Sequence, residues 1–158
     1  MTNAVDVAVM INGERRVLRV APFETLLTSL RDRLGLTAAK RGCNQGVCGA
    51  CSVLIDGRPA RACLSVTANC VDQEVTTVEG LSAPLELSRL QAALVRAGAI
   101  QCGFCTPGML ISLTALLQDC PHPTRDDIRT AISSNICRCT GYQKIVEAVA
   151  DMGERSAA

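Results

Sequence analysis

The sequence predicts an α+β protein in which a small sheet precedes a set of helices. In the first half, short apolar runs are separated by Asn12-Gly13 and Asp56-Gly57, two dipeptides that strongly favour two-residue hairpin turns. In the second half, apolar residues recur three and four positions apart, which is the spacing of one helix face. We therefore predict two domains, residues 1–80 and residues 81–158.

Five strands and one helix are expected in the first domain. The strands are assigned to Val5–Ile11, Arg16–Val20, Cys51–Ile55, Arg61–Val66 and Glu74–Val78. The helix is assigned to Thr25–Leu34, whose leucines share one face, and Gly35 follows where a helix C-terminal glycine is expected. Together these elements predict a small mixed sheet packed against one helix.

The second domain is expected to be helical. Three helices are assigned to Leu87–Gly98, Gly108–Gln118 and Tyr142–Met152, and a further one begins after Thr124. Pro107 fits a first helical turn because no backbone N–H is needed there. Thr124 is an N-cap residue, and the aspartates that follow it interact favourably with the positive end of the helix dipole.

Charge and hydropathy exclude two classes of partner. The 158 residues carry a formal net charge of +1, which gives no electrostatic basis for binding nucleic acid. The uncharged segment Ala97–Gln118 is long enough to span a membrane. The cysteine, glycine and proline residues in its middle favour instead a buried helix beside a metal site, so we expect no membrane span.

Ten cysteines are the main functional signal. A small secreted protein could pair them as disulfides. The first ten residues, however, lack the basic and apolar pattern of a secretion signal. We therefore expect a cytoplasmic protein in which the clustered thiols bind metal.

The first cysteine group has the spacing C-x4-C-x2-C followed by a fourth cysteine. It consists of Cys43, Cys48, Cys51 and Cys63. This is the plant-type [2Fe-2S] pattern. We expect Gly42, Gly46 and Gly49 to take positive φ values, so that the loop wraps and directs backbone N–H groups at sulfur. Structural zinc is the alternative, but zinc sites favour paired C-x2-4-C knuckles and need less glycine.

The second group combines a C-x2-C motif with a C-x-C motif. It consists of Cys102, Cys105, Cys137 and Cys139. The predicted helices place these four thiols at helix ends, which is enough for one more metal centre. Spacing alone does not separate zinc from iron and sulfur at this second group.

Three ordered segments resemble the iron–sulfur subunit of the xanthine dehydrogenase family, which includes aldehyde oxidoreductases and carbon monoxide dehydrogenase. The segments are Gly42–Cys51, Gln101–Gly108 and Asn135–Tyr142. The likeness extends over nearly the whole chain, and the short interval from Cys51 to Cys63 suits this family better than photosynthetic ferredoxins. Ser134 departs from the pattern, because relatives often have glycine there.

The resemblance implies a fold and a set of site residues. The fold would be a β-grasp, plant-type ferredoxin-like domain followed by an all-α four-helix bundle. The first cysteine group would hold the [2Fe-2S] cluster nearer the flavin, and the second group would hold the [2Fe-2S] cluster nearer the molybdenum cofactor. Gln101 and Cys139 would lie against the pterin of that cofactor.

The resemblance also implies a molybdenum hydroxylase. The chain would be its electron-transfer subunit, relaying single electrons from a molybdenum cofactor on a large subunit to FAD on a medium subunit, in a dimer of heterotrimers. In agreement, the sequence contains neither G-x-G-x-x-G nor a P-loop, so flavin and nucleotide would bind to other chains. The resemblance places the substrate pocket on the large subunit. A free two-cluster carrier and a structural zinc module are the alternatives.

Four residues outside the two groups also need an interpretation. Cys70 and Cys120 are expected to be small buried or half-buried apolar residues. His122 stands between two prolines and is expected in a surface loop. Arg138 lies between two cysteines of the second group, where it either offsets cluster charge, contacts a partner or points into solvent.

Overall fold

The computed structural model of the chain describes residues 4–154, with side chains for residues 4–152. Residues 1–3 and 155–158, the ends of the two predicted domains, lie outside the described part. The described residues form a five-stranded mixed sheet and five helices, so the α+β class is confirmed. Among them, no helix is both long enough and apolar enough to cross a membrane.

All strands belong to the first half and four of the five helices to the second. The strands are β1 (Val5–Ile11), β2 (Glu14–Val20), β3 (Ser52–Ile55), β4 (Arg58–Arg61) and β5 (Glu74–Thr76). The helices are α1 (Leu26–Thr28), α2 (Arg89–Arg96), α3 (Thr106–Asp119), α4 (Arg125–Ile132) and α5 (Gln143–Glu154).

The sheet has the strand order β2-β1-β5-β3-β4. Among the four strand pairs of the described residues, β1 with β5 is parallel and the other three are antiparallel. Both predicted hairpin turns are confirmed. Asn12 and Gly13 have φ values of 52° and 80°, and Asp56 and Gly57 have 50° and 77°, as a type I′ turn requires.

The prediction for the fourth strand was wrong. The expected strand was Arg61–Val66, whereas β4 spans Arg58–Arg61. A two-residue turn at Asp56-Gly57 makes pairing begin at once, with Ile55 opposite Arg58. Pro59 is tolerated because β4 is an edge strand, where a missing N–H costs no ladder hydrogen bond.

The first helix is shorter and less regular than expected. After α1 the chain makes a π-helical turn over Ser29–Arg33, closed by a 3.2 Å hydrogen bond from Leu34 N to Ser29 O. Gly35 follows with φ 69°, which confirms its role in ending the helical segment. Leu26, Leu27 and Leu30 are buried against the sheet and join the core of the first half.

Local capping sets the starts of two helices in the second half. Ser88 and Gln91 form a capping box that starts α2 later than the predicted Leu87. Thr124 caps α4 as predicted, with Asp127 as its reciprocal partner. Pro107 lies in the first turn of α3, also as predicted.

The second half has its own apolar core, in which α3 is the most buried helix. The fully buried side chains include Met109, Leu113 and Ile128. On its other side α3 contacts the sheet, where Ile111 and Ala115 pack on Leu54 of β3. This contact packs the helical half against β3 of the sheet.

Candidate metal centres

The β3–β4 hairpin brings two thiols of the first group together. Cys51 directly precedes β3 and Cys63 follows β4 by two residues. Antiparallel pairing puts both at the same end of the hairpin, where Ala62 N donates to Cys51 O (3.3 Å). Both cysteines are buried.

The other two thiols of this group lie on the loop between the π-helical turn and β3. Cys43 Sγ accepts backbone N–H groups from Cys48 (3.4 Å) and Gln45 (3.3 Å). These hydrogen bonds lower the pKa of Cys43 to about 6. Burial, and then the neighbouring thiol of Cys63, raise the pKa of Cys51 to about 11. The predicted direction of N–H groups at sulfur is therefore confirmed at Cys43.

Two of the three loop glycines behave as expected. Gly46 and Gly49 have φ values of 76° and 72°. The prediction for Gly42 was wrong, because its φ is not positive. A Cβ atom at Gly42 would lie 2.9 Å from Cys48 Sγ, so a larger residue there would displace a thiol of this group.

Helix ends carry the second group. Cys102 and Cys105 lie between α2 and α3, and Cys137 and Cys139 lie between α4 and α5. The Sγ atoms of Cys102 and Cys139 are 3.6 Å apart. Burial raises the pKa of Cys105 to about 12, with the thiol of Cys137 as the next cause. The structure thus brings all four predicted thiols together in two close pairs.

Hydrogen bonds hold Cys137 in place. Its Sγ is 3.0 Å from Thr140 Oγ1 and accepts from Thr140 N (3.4 Å). Burial opposes ionisation of this thiol, but the Thr140 contacts lower the pKa of Cys137 to about 7. Tyr142 Oη accepts from Cys137 N (2.8 Å) and donates to Asn135 O (3.1 Å), which closes the loop.

One side of the second group opens at the surface. Cys102, Cys139 and Gln101 are all exposed. Gln101 Nε2 donates to Cys139 O (3.1 Å), so the two residues that the family resemblance assigned to the pterin are neighbours.

Asn135 joins the two groups, a role that the sequence analysis did not assign to it. Its side chain is buried, donates to Gly49 O (3.1 Å) and accepts from Ser112 Oγ (2.8 Å). The next residue, Ile136, donates its N–H to Cys48 O (2.9 Å). The segment leading to Cys137 is therefore bonded directly to the loop of the first group.

The residues outside the groups agree with their predictions. All ten cysteines are free thiols in this structure. Cys70 is buried beside Val66 O (3.6 Å), and Cys120 is half-buried. His122 and Arg138 are exposed.

The donor set fits thiolate-bound clusters. Each group offers four thiols, and in each group one thiol has its pKa lowered by hydrogen bonds to sulfur while another is buried. Sulfur donors of this number and kind suit [2Fe-2S] clusters. Among the side chains that the structure describes, no group of three or more His, Cys, Asp or Glu residues is arranged to hold a single metal ion.

Comparison with known proteins agrees with this chemistry. Residues 22–92 match the family of the 2Fe-2S iron-sulfur cluster binding domain, and residues 77–150 match that of the [2Fe-2S] binding domain. The chain is 49% identical to the nicotine 6-hydroxylase small subunit of Paenarthrobacter nicotinovorans, over 95% of this chain and 90% of that one. It is 42% identical to the nicotinate dehydrogenase small FeS subunit of Eubacterium barkeri, over 98% and 99%.

A solved structure shares the whole fold. Quinoline 2-oxidoreductase from Pseudomonas putida 86 contains a chain that superposes with a TM-score of 0.93 at 44% identity, covering 98% of this chain and 96% of that chain.

The fold and the two thiol groups thus define a two-centre iron–sulfur protein. The chain belongs to the family of small iron–sulfur subunits of molybdenum hydroxylases, the xanthine dehydrogenase family. It is an electron-transfer subunit of an oxidoreductase, and its cofactors are [2Fe-2S] clusters.

Proposed function

We propose that this chain relays single electrons from a molybdenum cofactor to FAD in a three-subunit hydroxylase. When bound, its two clusters would supply one-electron chemistry, each transfer oxidising one centre and reducing the next by one electron. The chain itself contributes the positions and the electrostatic surroundings of the centres. The molybdenum cofactor would lie on a large subunit and FAD on a medium subunit.

Eight thiols serve as ligands in this proposal. They are Cys43, Cys48, Cys51 and Cys63 for one cluster and Cys102, Cys105, Cys137 and Cys139 for the other. Cys102 and Cys139 form one close pair and Cys105 and Cys137 are neighbours, so these four thiols would together hold one cluster. Cys70 and Cys120 stay outside both sets.

The junction between the two groups is the observation that carries the proposal. Cys48 and Ile136 are hydrogen-bonded backbone to backbone, and Ile136 is covalently joined to Cys137. A ligand of one centre is thus connected to a ligand of the other by one short path of bonds. A relay needs this continuity, whereas a structural zinc module does not.

The exposed side of the second group gives the relay a direction. Gln101 and Cys139 lie together at the surface, and we assign them to contact with the pterin of the molybdenum cofactor. The second centre would then receive electrons first, and the first centre would pass them to flavin. This order follows the family resemblance and agrees with the exposure of the thiols.

Apolar surface near both groups supports fixed partners over a free carrier. Val47 and Leu64 beside the first group are 63% and 61% exposed, and Phe104 and Ile136 beside the second are 48% and 55% exposed. Exposed apolar clusters of this kind are typical of interfaces. We propose interfaces with the large and medium subunits in a cytoplasmic dimer of heterotrimers.

The two domains carry separate parts of this task. We assign residues 1–80 to a β-grasp domain for the first cluster and residues 81–158 to a four-helix bundle, α2 to α5, for the second. The end of β5 at Thr76 and the start of α2 at Arg89 support a boundary between them.

Rapid mixing of the Gln101→Ala complex tests the relay and its direction. The variant loses one polar contact and keeps all eight thiols, so iron and acid-labile sulfide should remain at about four each per chain. Reduction of the clusters by substrate should slow, or the molybdenum cofactor should be retained less well. Reduction from the flavin side should be unchanged. Nitrogen heterocycles are the first substrates to use, because nicotine, nicotinate and quinoline appear in the names of the relatives.

Gln118→Ala is the matched control, since Gln118 is also exposed but lies at the end of α3. A Gln101→Ala complex impaired only from the flavin side would reverse the order of the centres. Zinc in place of iron and labile sulfide would reject the function, and full activity in an isolated monomer would favour the free carrier.

A further inference from the structure

Arg61 lies where the loops of the two thiol groups approach each other. It is the last residue of β4 and precedes Cys63 by two positions. Its guanidinium donates three hydrogen bonds, from Nε to Gly46 O (3.3 Å), from Nη1 to Ser52 Oγ (2.5 Å) and from Nη2 to Ser134 O (2.9 Å).

The three acceptors belong to both groups. Gly46 lies within the first cysteine loop and Ser52 follows the last cysteine of that loop. Ser134 begins the segment that continues through Asn135 to the second group. Because a guanidinium is planar and rigid, its fork of donors holds the two loops at a fixed separation.

No carboxylate of the described residues forms an ion pair with Arg61. The ion pairs among the described residues involve other arginines, and all three acceptors of Arg61 are neutral. The residue is half-buried, so solvent screens its charge less than that of an exposed arginine.

A positive charge at this place has a defined effect on thiolate-bound clusters. Such clusters are anionic, and reduction adds one more negative charge. Charges and hydrogen bonds near the sulfurs are among the factors that set the reduction potential. A fixed cation near both loops therefore favours the reduced form of both centres.

We propose that Arg61 is a positioning residue of the relay, which raises the reduction potentials of both centres by its charge and fixes their separation by its hydrogen bonds. This inference rests on the proposed electron-transfer function. It assigns to Arg61 the role of offsetting cluster charge that the sequence suggested for Arg138, whose side chain is exposed and makes no hydrogen bond or ion pair with the described residues.

Three variants of the intact complex separate charge from shape. Arg61→Gln removes the charge and most of the fork, whereas Arg61→Lys retains the charge and loses the fork. Arg58→Gln is the matched control, because Arg58 is on the same strand, is exposed and carries the same charge. Each cluster's potential is measured by redox titration followed by EPR, beside iron and sulfide analysis.

We expect Arg61→Gln to shift both midpoint potentials to more negative values, with Arg58→Gln unchanged. Arg61→Lys should restore the potentials, yet its looser contacts should speed hydrogen exchange at the Ile136 N–H. Wild-type potentials in Arg61→Gln with full iron would overturn the charge effect. If Arg61→Gln loses iron, the test rests on Arg61→Lys. A negative shift of the midpoint potentials in an Arg61→Lys complex that keeps its iron would equally reject the charge effect. A wild-type complex that contains no iron would instead reject the proposed function.

Discussion

The two thiol groups are built in different ways. In the first, three cysteines lie on the single loop Cys43–Cys51, and a two-residue hairpin turn brings Cys63 beside them. In the second, two short motifs separated by α3 and α4 meet only because the helices pack. One site is therefore encoded mainly by local chain geometry, and the other by a hydrophobic core.

Two particular thiols, Cys43 in the first group and Cys139 in the second, illustrate this difference. Backbone N–H groups of its own loop lower the pKa of Cys43 to about 6, so hydrogen bonds within the loop favour the thiolate. In the second group, the neighbouring thiol of Cys102 raises the pKa of Cys139. A thiol whose main neighbour is another thiol depends on correct assembly of distant segments to become a ligand.

The largest effect is expected from removing a thiol of one group. Cys63→Ala should abolish the EPR signal of the first centre and about half of the iron, because four thiolates are needed per cluster. Cys70→Ala is the control, since Cys70 is buried in the same half but lies outside both groups. This variant should keep both EPR signals, and its free energy of unfolding should fall by about 1–3 kcal/mol. Loss of both signals in Cys63→Ala would show that the centres assemble as one unit, contrary to the comparison.

Truncating a buried core side chain should have a smaller effect, and it should weaken one centre before the other. Ile128 of α4 is completely buried in the helical core, and Ile128→Ala should cost about 2–5 kcal/mol. We expect the second centre to lose iron first when this variant is heated. Val9→Ala in β1 truncates the other core and should invert the order of loss. Thermal melts followed by EPR of both centres would test this, and equal sensitivity of the first centre to Ile128→Ala would contradict it.

The smallest effect is expected in the pH dependence of the free energy of unfolding. Arg33 is the main cause that lowers the pKa of Glu24 to about 2, helped by Ser29. A lowered carboxyl pKa stabilises the folded state above the ordinary value of 4.5, and this contribution is lost as the pH falls from there towards about 2. We expect about 1 kcal/mol at neutral pH, because Arg33 is 42% exposed and solvent screens the pair.

Glu24→Gln should therefore destabilise the protein at about pH 7 and less at about pH 4, where the carboxyl of the unfolded wild-type chain begins to protonate while the folded one stays ionised. Thermal unfolding of wild type and variant at both pH values measures the difference. Glu14→Gln, at an exposed ion pair on β2, is the control and should have little effect at either pH. An equal loss of stability in Glu24→Gln at both pH values would reject the explanation by an ion pair.

Local sequence alone determined the features that depend on neighbouring residues. The turns at Asn12-Gly13 and Asp56-Gly57 and the helix start at Thr124 follow from the conformational and hydrogen-bonding preferences of a few adjacent residues. The assignment of eight thiols to two groups was also a prediction from spacing and motif, and the structure places Cys102 beside Cys139. The sequence did not predict that β4 pairs through Pro59. A strand tolerates proline at the edge of a sheet, and the position of β4 at that edge is a tertiary property.

Tertiary structure decided how the two groups meet. A Cβ atom at Gly108 would lie 2.3 Å from Gly49 O, so this glycine of α3 is needed where two distant segments touch. Asn135 and Arg61 bridge the same junction through hydrogen bonds to residues far along the chain. No local pattern marks such contacts, because their energy exists only after the sheet and the helices have packed together.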